Sequence, residues 1–165
     1  MPSSFLHPFT RPLRDDFISI VSGKGAVVVD ESGNEYIDGM GTLWYANVGY
    51  GREEIAEAIA DQAKRLGAYH TFDPFTNPPS EEAAAKIADL SPFDNARVFF
   101  GSSGSEAVDT AMKMARIAQR QHGHPEKQII VSRERGDHGT NYGGTSVQGI
   151  PPNRAGFGPL VPGII

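Results

Sequence analysis

The period of the apolar positions changes several times along this chain, and each change predicts an element. Residues 1–16 read as extended, because Pro2, Pro8 and Pro12 oppose a helix. The run Ala26-Val27-Val28-Val29-Asp30, the polar turn Glu31-Ser32-Gly33-Asn34 and Glu35-Tyr36-Ile37-Asp38 predict a β-hairpin. A glycine-punctuated loop, Gly39 to Gly51, holds Trp44, the sole tryptophan. From Arg52 the period becomes helical, with Ile55, Ile59, Gln62 or Ala63, and Leu66 at i, i+4, i+7 and i+11, and Gly67 placed to end the helix. An aromatic, proline-rich loop covers 68–79, and Ser80 is the expected N-cap of a second helix ending near Leu90.

Asn95 to Phe100 and Gln128 to Ser132 are short, nearly continuous apolar runs, expected as buried strands. Between them Ala107 to Gln121 reads as a long helix with Ala107, Ala111, Met114, Ala115 and Ala118 on its packed side. Strand, helix, strand in that order implies one parallel crossover, so the predicted class is α/β with a mostly parallel sheet. The expected division is an α+β segment over 1–67, then the beginning of a larger α/β domain over 68–165. One crossover cannot bury its own sheet, and the last residues, Pro162-Gly163-Ile164-Ile165, carry no closing pattern. The larger domain therefore reads as truncated.

Composition narrows the function classes. Fifteen basic against twenty acidic residues give a net charge of −5, which leaves no basic footprint for nucleic acid. Cysteine is absent, which excludes disulfides and thiolate metal sites. No apolar run approaches the ~20 residues of a membrane span, and Met1 to Arg14 has no secretory pattern, so the expected location is cytoplasmic. Glycines crowd the stretch after Arg135, either as a disordered tail or as a loop whose backbone passes close to a ligand. His138, Asn141, Tyr142, Arg154 and Phe157 among them fit the loop better.

Phe99-Phe100-Gly101-Ser102-Ser103-Gly104-Ser105-Glu106-Ala107 carries the chemistry. A strand that ends in small residues and feeds a helix collects free backbone N–H groups at one point, where an anion, phosphate above all, is favoured. The plainer alternative is an ordinary turn capped by Ser102 or Ser103. Glu106 either offsets the helix dipole or makes an active-site hydrogen bond. His122-Gly123-His124 lacks further ligands at metal spacing and reads as a solvated helix end. Arg133-Glu134-Arg135 reads as salt-bridged surface.

Ser103-Gly104-Ser105-Glu106-Ala107, followed by Thr110-Ala111 and Lys113-Met114-Ala115-Arg116, resembles the signature of class III aminotransferases, the ω-type group of fold-type I enzymes that use pyridoxal 5′-phosphate (PLP). His7-Pro8-Phe9-Thr10, Leu43-Trp44-Tyr45-Ala46-Asn47-Val48-Gly49, and His138-Gly139 with Asn141-Tyr142-Gly143-Gly144 agree and fall in the family's order. The resemblance implies that Gly104 and Ser105 hold the cofactor phosphate and that Asp137 and His138 lie in the cofactor-binding stretch. It places Trp44 in the substrate pocket and Phe72 on a loop reaching the site, with core packing the alternative for both. It also implies a homodimer, and small-molecule partners in an amino donor and a keto acid.

Asp137 departs from the family pattern, which has an aromatic there to stack on the cofactor ring. An aspartate cannot stack, and it brings negative charge towards an anionic ligand. The Schiff-base lysine of the family falls beyond this chain: none of Lys24, Lys64, Lys86, Lys113 and Lys127 stands in its context. The 165 residues alone are thus expected to be inactive. A decarboxylase, racemase or aminomutase of the same fold, or a non-catalytic relative, are the alternative readings.

Overall fold

The computed structural model describes residues 4–10 and 14–165. Parts of the extended reading of 1–16, Pro2 and Pro12 among them, lie outside the described residues. Two compact units divide the chain between Phe75 and Thr76.

The first unit is built on a three-stranded antiparallel sheet in the order β1 (Ile20–Lys24), β2 (Val27–Asp30), β3 (Glu35–Ile37). The predicted hairpin is β2–β3, in register Val27 to Ile37 and Val29 to Glu35. β1 is not evident from the sequence, because Ser22 and Gly23 interrupt its apolar run and a bulge separates Ile20 from Ser22. Buried Asp30 organises the hairpin turn. Its Oδ1 accepts from the amides of Ser32 (2.9 Å) and Asn34 (2.8 Å), and its Oδ2 accepts from Asn34 Nδ2 and the Tyr36 hydroxyl, both at 2.9 Å. The Asn34 side chain foremost, then its amide, Tyr36 and Ser32, hold the Asp30 carboxyl below the usual aspartate range. A short irregular turn, α1 (Gly41–Trp44), and the helix α2 (Glu53–Leu66) complete the unit. α2 ends at Leu66 as expected, and its apolar stripe is exposed, with Ile59 65% accessible.

In the second unit α3 (Pro78–Leu90) starts earlier than the sequence suggests. Asn77, not Ser80, is its N-cap: the Asn77 side chain accepts the Ser80 amide at 3.0 Å, and Pro78 and Pro79 occupy the first-turn positions that need no N–H donor. α4 (Gly104–Gln121) is capped by Ser103, whose hydroxyl accepts the Glu106 amide at 3.2 Å. His122 and Gly123, at φ +83°, close it. Two short helices follow, α5 (Tyr142–Ser146) and α6 (Pro151–Arg154).

Three expectations are corrected here. Residues 95–100 and 128–132 form no strands, and Phe99 and Phe100 are 64% and 50% exposed. A parallel strand is stabilised by neighbours on its edges and faces. Among the described residues these runs meet only one isolated parallel bridge, between Ile130 and Ile164. Next, the alanine and methionine stripe of α4 is not its packed side: Ala107, Ala111 and Ala115 are exposed, and Met114 is 56% accessible. The polar stripe Ser105, Asp109 and Arg116 makes the tertiary bonds instead. Finally, Arg133, Glu134 and Arg135 form no ion pair among the described residues; the Arg133 carbonyl accepts the Gly136 amide and the Arg135 amide donates to the Gly149 carbonyl.

The glycine-rich segment is the best-buried part of this unit. Gly143 to Gln148 are all buried, and Val147 is the buried hydrophobic residue. Its glycines admit backbone and side chains of the protein itself. A methyl on Gly149 would lie 2.2 Å from the Arg133 carbonyl oxygen, and one on Gly144 would lie 2.5 Å from that of His138. Among the described residues no helix is long and apolar enough to cross a membrane.

Two outcomes follow from this packing. Gly149→Ala is expected to lower unfolding stability by about 1–3 kcal/mol, the cost of overpacking; an unchanged urea midpoint would mean the segment repacks freely. Because folding depresses the Asp30 titration, its contribution is present above the ordinary aspartate value of about 4 and fades as pH falls through the lower, folded one. Asp30→Ala is therefore expected to melt at a lower temperature than the parent at neutral pH. That gap should close in strong acid, and thermal melts across pH check it.

Candidate functional site: the start of α4

Small residues bring the chain round from Phe100 into α4, and the first turn leaves donors exposed. Ser103 Oγ takes the Glu106 amide, and the Ser103 carbonyl accepts from Ala107 at 3.0 Å. No acceptor among the described residues takes the amides of Gly104 or Ser105. Glu106 turns back over the loop, where its Oε2 accepts from the Ser102 amide (2.8 Å) and the Ser102 hydroxyl (2.6 Å). The Ser102 side chain foremost, then its amide, keep the Glu106 carboxyl below its usual range. The arrangement is close to a capping box displaced by one residue. It accounts for Glu106 within the protein itself.

Ser105 faces the glycine-rich segment. Its Oγ accepts the Thr140 amide at 2.9 Å, so one lone pair is engaged and the hydroxyl proton is left to donate elsewhere. Gly139, at φ +103°, permits this approach: a methyl there would lie 2.3 Å from Ser105 Oγ. One turn further along α4, Asp109 Oδ1 accepts the Gly144 amide at 3.0 Å and so caps α5, whose own N-cap Asn141 makes no side-chain capping bond. Two turns beyond, Arg116 donates to the carbonyls of Gln128 (2.9 Å) and Pro162 (2.7 Å).

Asp137 and His138 lie on the same docked segment. Asp137 Oδ1 accepts from the Gly139 amide and from Gln148 Nε2, each at 3.0 Å. The Gln148 side chain foremost, then the Gly139 amide and the adjacent His138, hold this carboxyl below the usual range. His138 packs its ring on Gly136, where a methyl would lie 2.6 Å from Nε2. Gly104, Ser105, Asp137 and His138 thus belong to one assembly, in which Ser105 touches the 137–140 loop directly.

Trp44 and Phe72 lie in the first unit. Trp44 is 73% exposed, at φ +69°, on the irregular α1 turn. Asp38 anchors that turn, accepting the amides of Met40 (3.1 Å) and Thr42 (2.6 Å) and the Tyr50 hydroxyl. Tyr50 in turn pairs with Gly25 through both backbone bonds, N–H to O at 2.8 Å and 3.0 Å. In the sequence, the Asp38-Gly39 step that closes the β-hairpin is the available signal for Asp38, and Tyr50 carries none. Phe72 is 80% exposed and its carbonyl accepts the Phe75 amide at 2.8 Å.

The α4 turn suits a phosphate on the chain's own geometry. A methyl at Gly104 would meet nothing within 4 Å, so packing does not require glycine there, and the space above the turn is open. The Gly104 and Ser105 amides, without acceptors among the described residues, and the Ser105 hydroxyl all lie in the first turn, at the positive end of an 18-residue helix. A cleft of about 220 Å³ lies further along α4, between Asp109, Lys113, Arg116 and Tyr142.

The family model "Aminotransferase class-III" matches residues 10–165. The putrescine–pyruvate aminotransferase of Pseudomonas aeruginosa is 38% identical over 163 residues, which cover 97% of this chain and 36% of that protein. An amine transaminase from an uncultivated Pseudomonas species, solved in its PLP-bound form, is 36% identical with a TM-score of 0.92, over 99% of this chain and 38% of that one. A thermostable omega transaminase carrying a tryptophan-to-glycine change, engineered for asymmetric synthesis of enantiopure bulky amines, is 33% identical with a TM-score of 0.91, over 98% of this chain and 36% of that one. The chain spans about a third of the length of the curated relatives it matches. With the family model running from residue 10 to residue 165, the chain belongs to the class-III aminotransferases.

Proposed function

We propose that this chain contributes the phosphate-gripping part of a PLP-dependent aminotransferase that passes an amino group from an amine, ω-amino acid or amino acid donor to a keto acid such as pyruvate or 2-oxoglutarate. The observation that carries the reading is the start of α4, where the Gly104 and Ser105 amides lack acceptors among the described residues and the Ser105 hydroxyl keeps a proton to donate. A helix N-terminus favours a charge by about 0.3–1 kcal/mol, up to ~2 when partly buried, and directed bonds to an anion add to it. PLP, when bound, supplies the electron sink that amino transfer requires. The residues of this chain bind and orient: Gly104 and Ser105 take phosphate oxygens, Thr140 fixes the Ser105 hydroxyl, and Asp109 holds the 142–146 helix in place.

Trp44 bounds the donor pocket in this reading. Its exposure on an anchored turn supports that. Phe72, equally exposed, belongs to the same reading through the family resemblance. A homodimer, with the Schiff-base lysine supplied outside these residues, also follows from the resemblance, so the 165 residues alone do not transaminate.

Two measurements on the full-length protein test the proposal. Ser105→Ala is expected to weaken PLP binding about tenfold or more and to leave the affinity for pyridoxal, which lacks the phosphate, nearly unchanged. Equal losses for both ligands would remove the phosphate assignment. Trp44→Gly is expected to raise kcat/KM for a bulky aryl amine relative to a small one by about tenfold; an unchanged ratio would place Trp44 outside the pocket.

A further inference from the structure

Asp137 stands where the family resemblance leads one to expect an aromatic ring, and its carboxylate is committed to the chain itself. One oxygen, Oδ1, accepts both the Gly139 amide and Gln148 Nε2, at 3.0 Å each. Gln148 is only 4% exposed, and its Oε1 has no hydrogen-bond partner among the described residues. The bond to Asp137 is therefore the one that ties down this buried amide, and it joins the start of the loop to the buried end of the glycine-rich segment. Two residues after Asp137 the backbone passes Gly139, tight against Ser105, and the next amide, that of Thr140, is the donor that occupies Ser105 Oγ at 2.9 Å.

We infer that Asp137 is a positioning residue: its carboxylate ties Gly139 to Gln148, sets Thr140 against Ser105, and thereby aims the Ser105 hydroxyl proton at the phosphate site. The inference rests on the phosphate reading above and goes beyond it, because it gives Asp137 a task that does not involve stacking on the cofactor. The charge that appeared unfavourable beside an anionic ligand is taken up by two N–H donors. Asparagine offers the same carbonyl geometry at Oδ1 and keeps both bonds. Alanine keeps neither.

The test uses the full-length protein and two readouts. In the first, ligand-free protein is followed by hydrogen exchange over the 137–142 segment. Asp137→Ala is expected to raise exchange at Gly139 and Thr140 about tenfold or more, and Asp137→Asn to leave it near the parent value. In the second, the preference for PLP over pyridoxal is compared. Asp137→Ala is expected to reduce it about tenfold, with pyridoxal affinity unchanged and Asp137→Asn restoring it. Asp137→Ala also strands the Gln148 amide, so Asp137→Ala with Gln148→Leu separates the two effects; the pair is expected to reproduce the lost preference in a stably folded protein. A preference that survives Asp137→Ala, or an Asn variant as impaired as the Ala variant, overturns the inference alone. A parent protein with no preference for PLP over pyridoxal overturns the phosphate reading, and this inference with it.

Discussion

The second unit depends on a polar seam. Ser105 and Asp109, one helical turn apart on α4, each accept a backbone amide from the glycine-rich segment, and Arg116 continues the same stripe with two carbonyls further on. Apolar burial does little of this work, for Val147 is the buried hydrophobic residue among the described ones and most large apolar side chains are exposed. The seam instead satisfies backbone groups that tight packing would otherwise leave without partners. Its close approaches require glycine at 139, 143 and 144, where any methyl would sit within 2.5 Å of an atom of the neighbouring strand of chain or helix.

This seam explains why the site has the form it does. The same Ser105 that fastens the segment sits in the first turn of α4, so on the phosphate reading proposed above fold and ligand chemistry would share one side chain. Glu106, by contrast, is absorbed by Ser102 and serves the turn. The first unit repeats the strategy with another carboxylate: Asp38 gathers two amides and the Tyr50 hydroxyl, and in doing so fixes the turn that exposes Trp44.

Local signals were legible in the sequence wherever a few neighbouring residues decide the outcome. The Gly33-Asn34 turn, the 3.6-residue period of α2 and the serine cap of α4 belong to that class. Asn77 displaced Ser80 as a cap because two prolines tolerate the first helical turn, a preference visible in the sequence but outweighed there by the glutamates after Ser80. What the sequence could not show was partnership. Apolar periodicity marks a face able to pack, but the alanine stripe of α4 and the run at 95–100 are largely exposed, and the run at 128–132 finds only the isolated bridge to Ile164 as a strand partner among the described residues. The polar stripe on α4 has the same helical spacing but no apolar signal, yet it makes the contacts.

The two bonds of the seam share a property that concerns how the unit assembles. Ser105 to Thr140 and Asp109 to Gly144 each span 35 residues of chain. Closing a loop of that length has a conformational entropy cost that grows only as the logarithm of its size. Once either bond has formed on a preformed helix, the other needs no new loop, because its donor and acceptor are displaced by the same four positions on both strands of the closure. The helix thus acts as a ruler, and the glycine-rich segment docks as a single step.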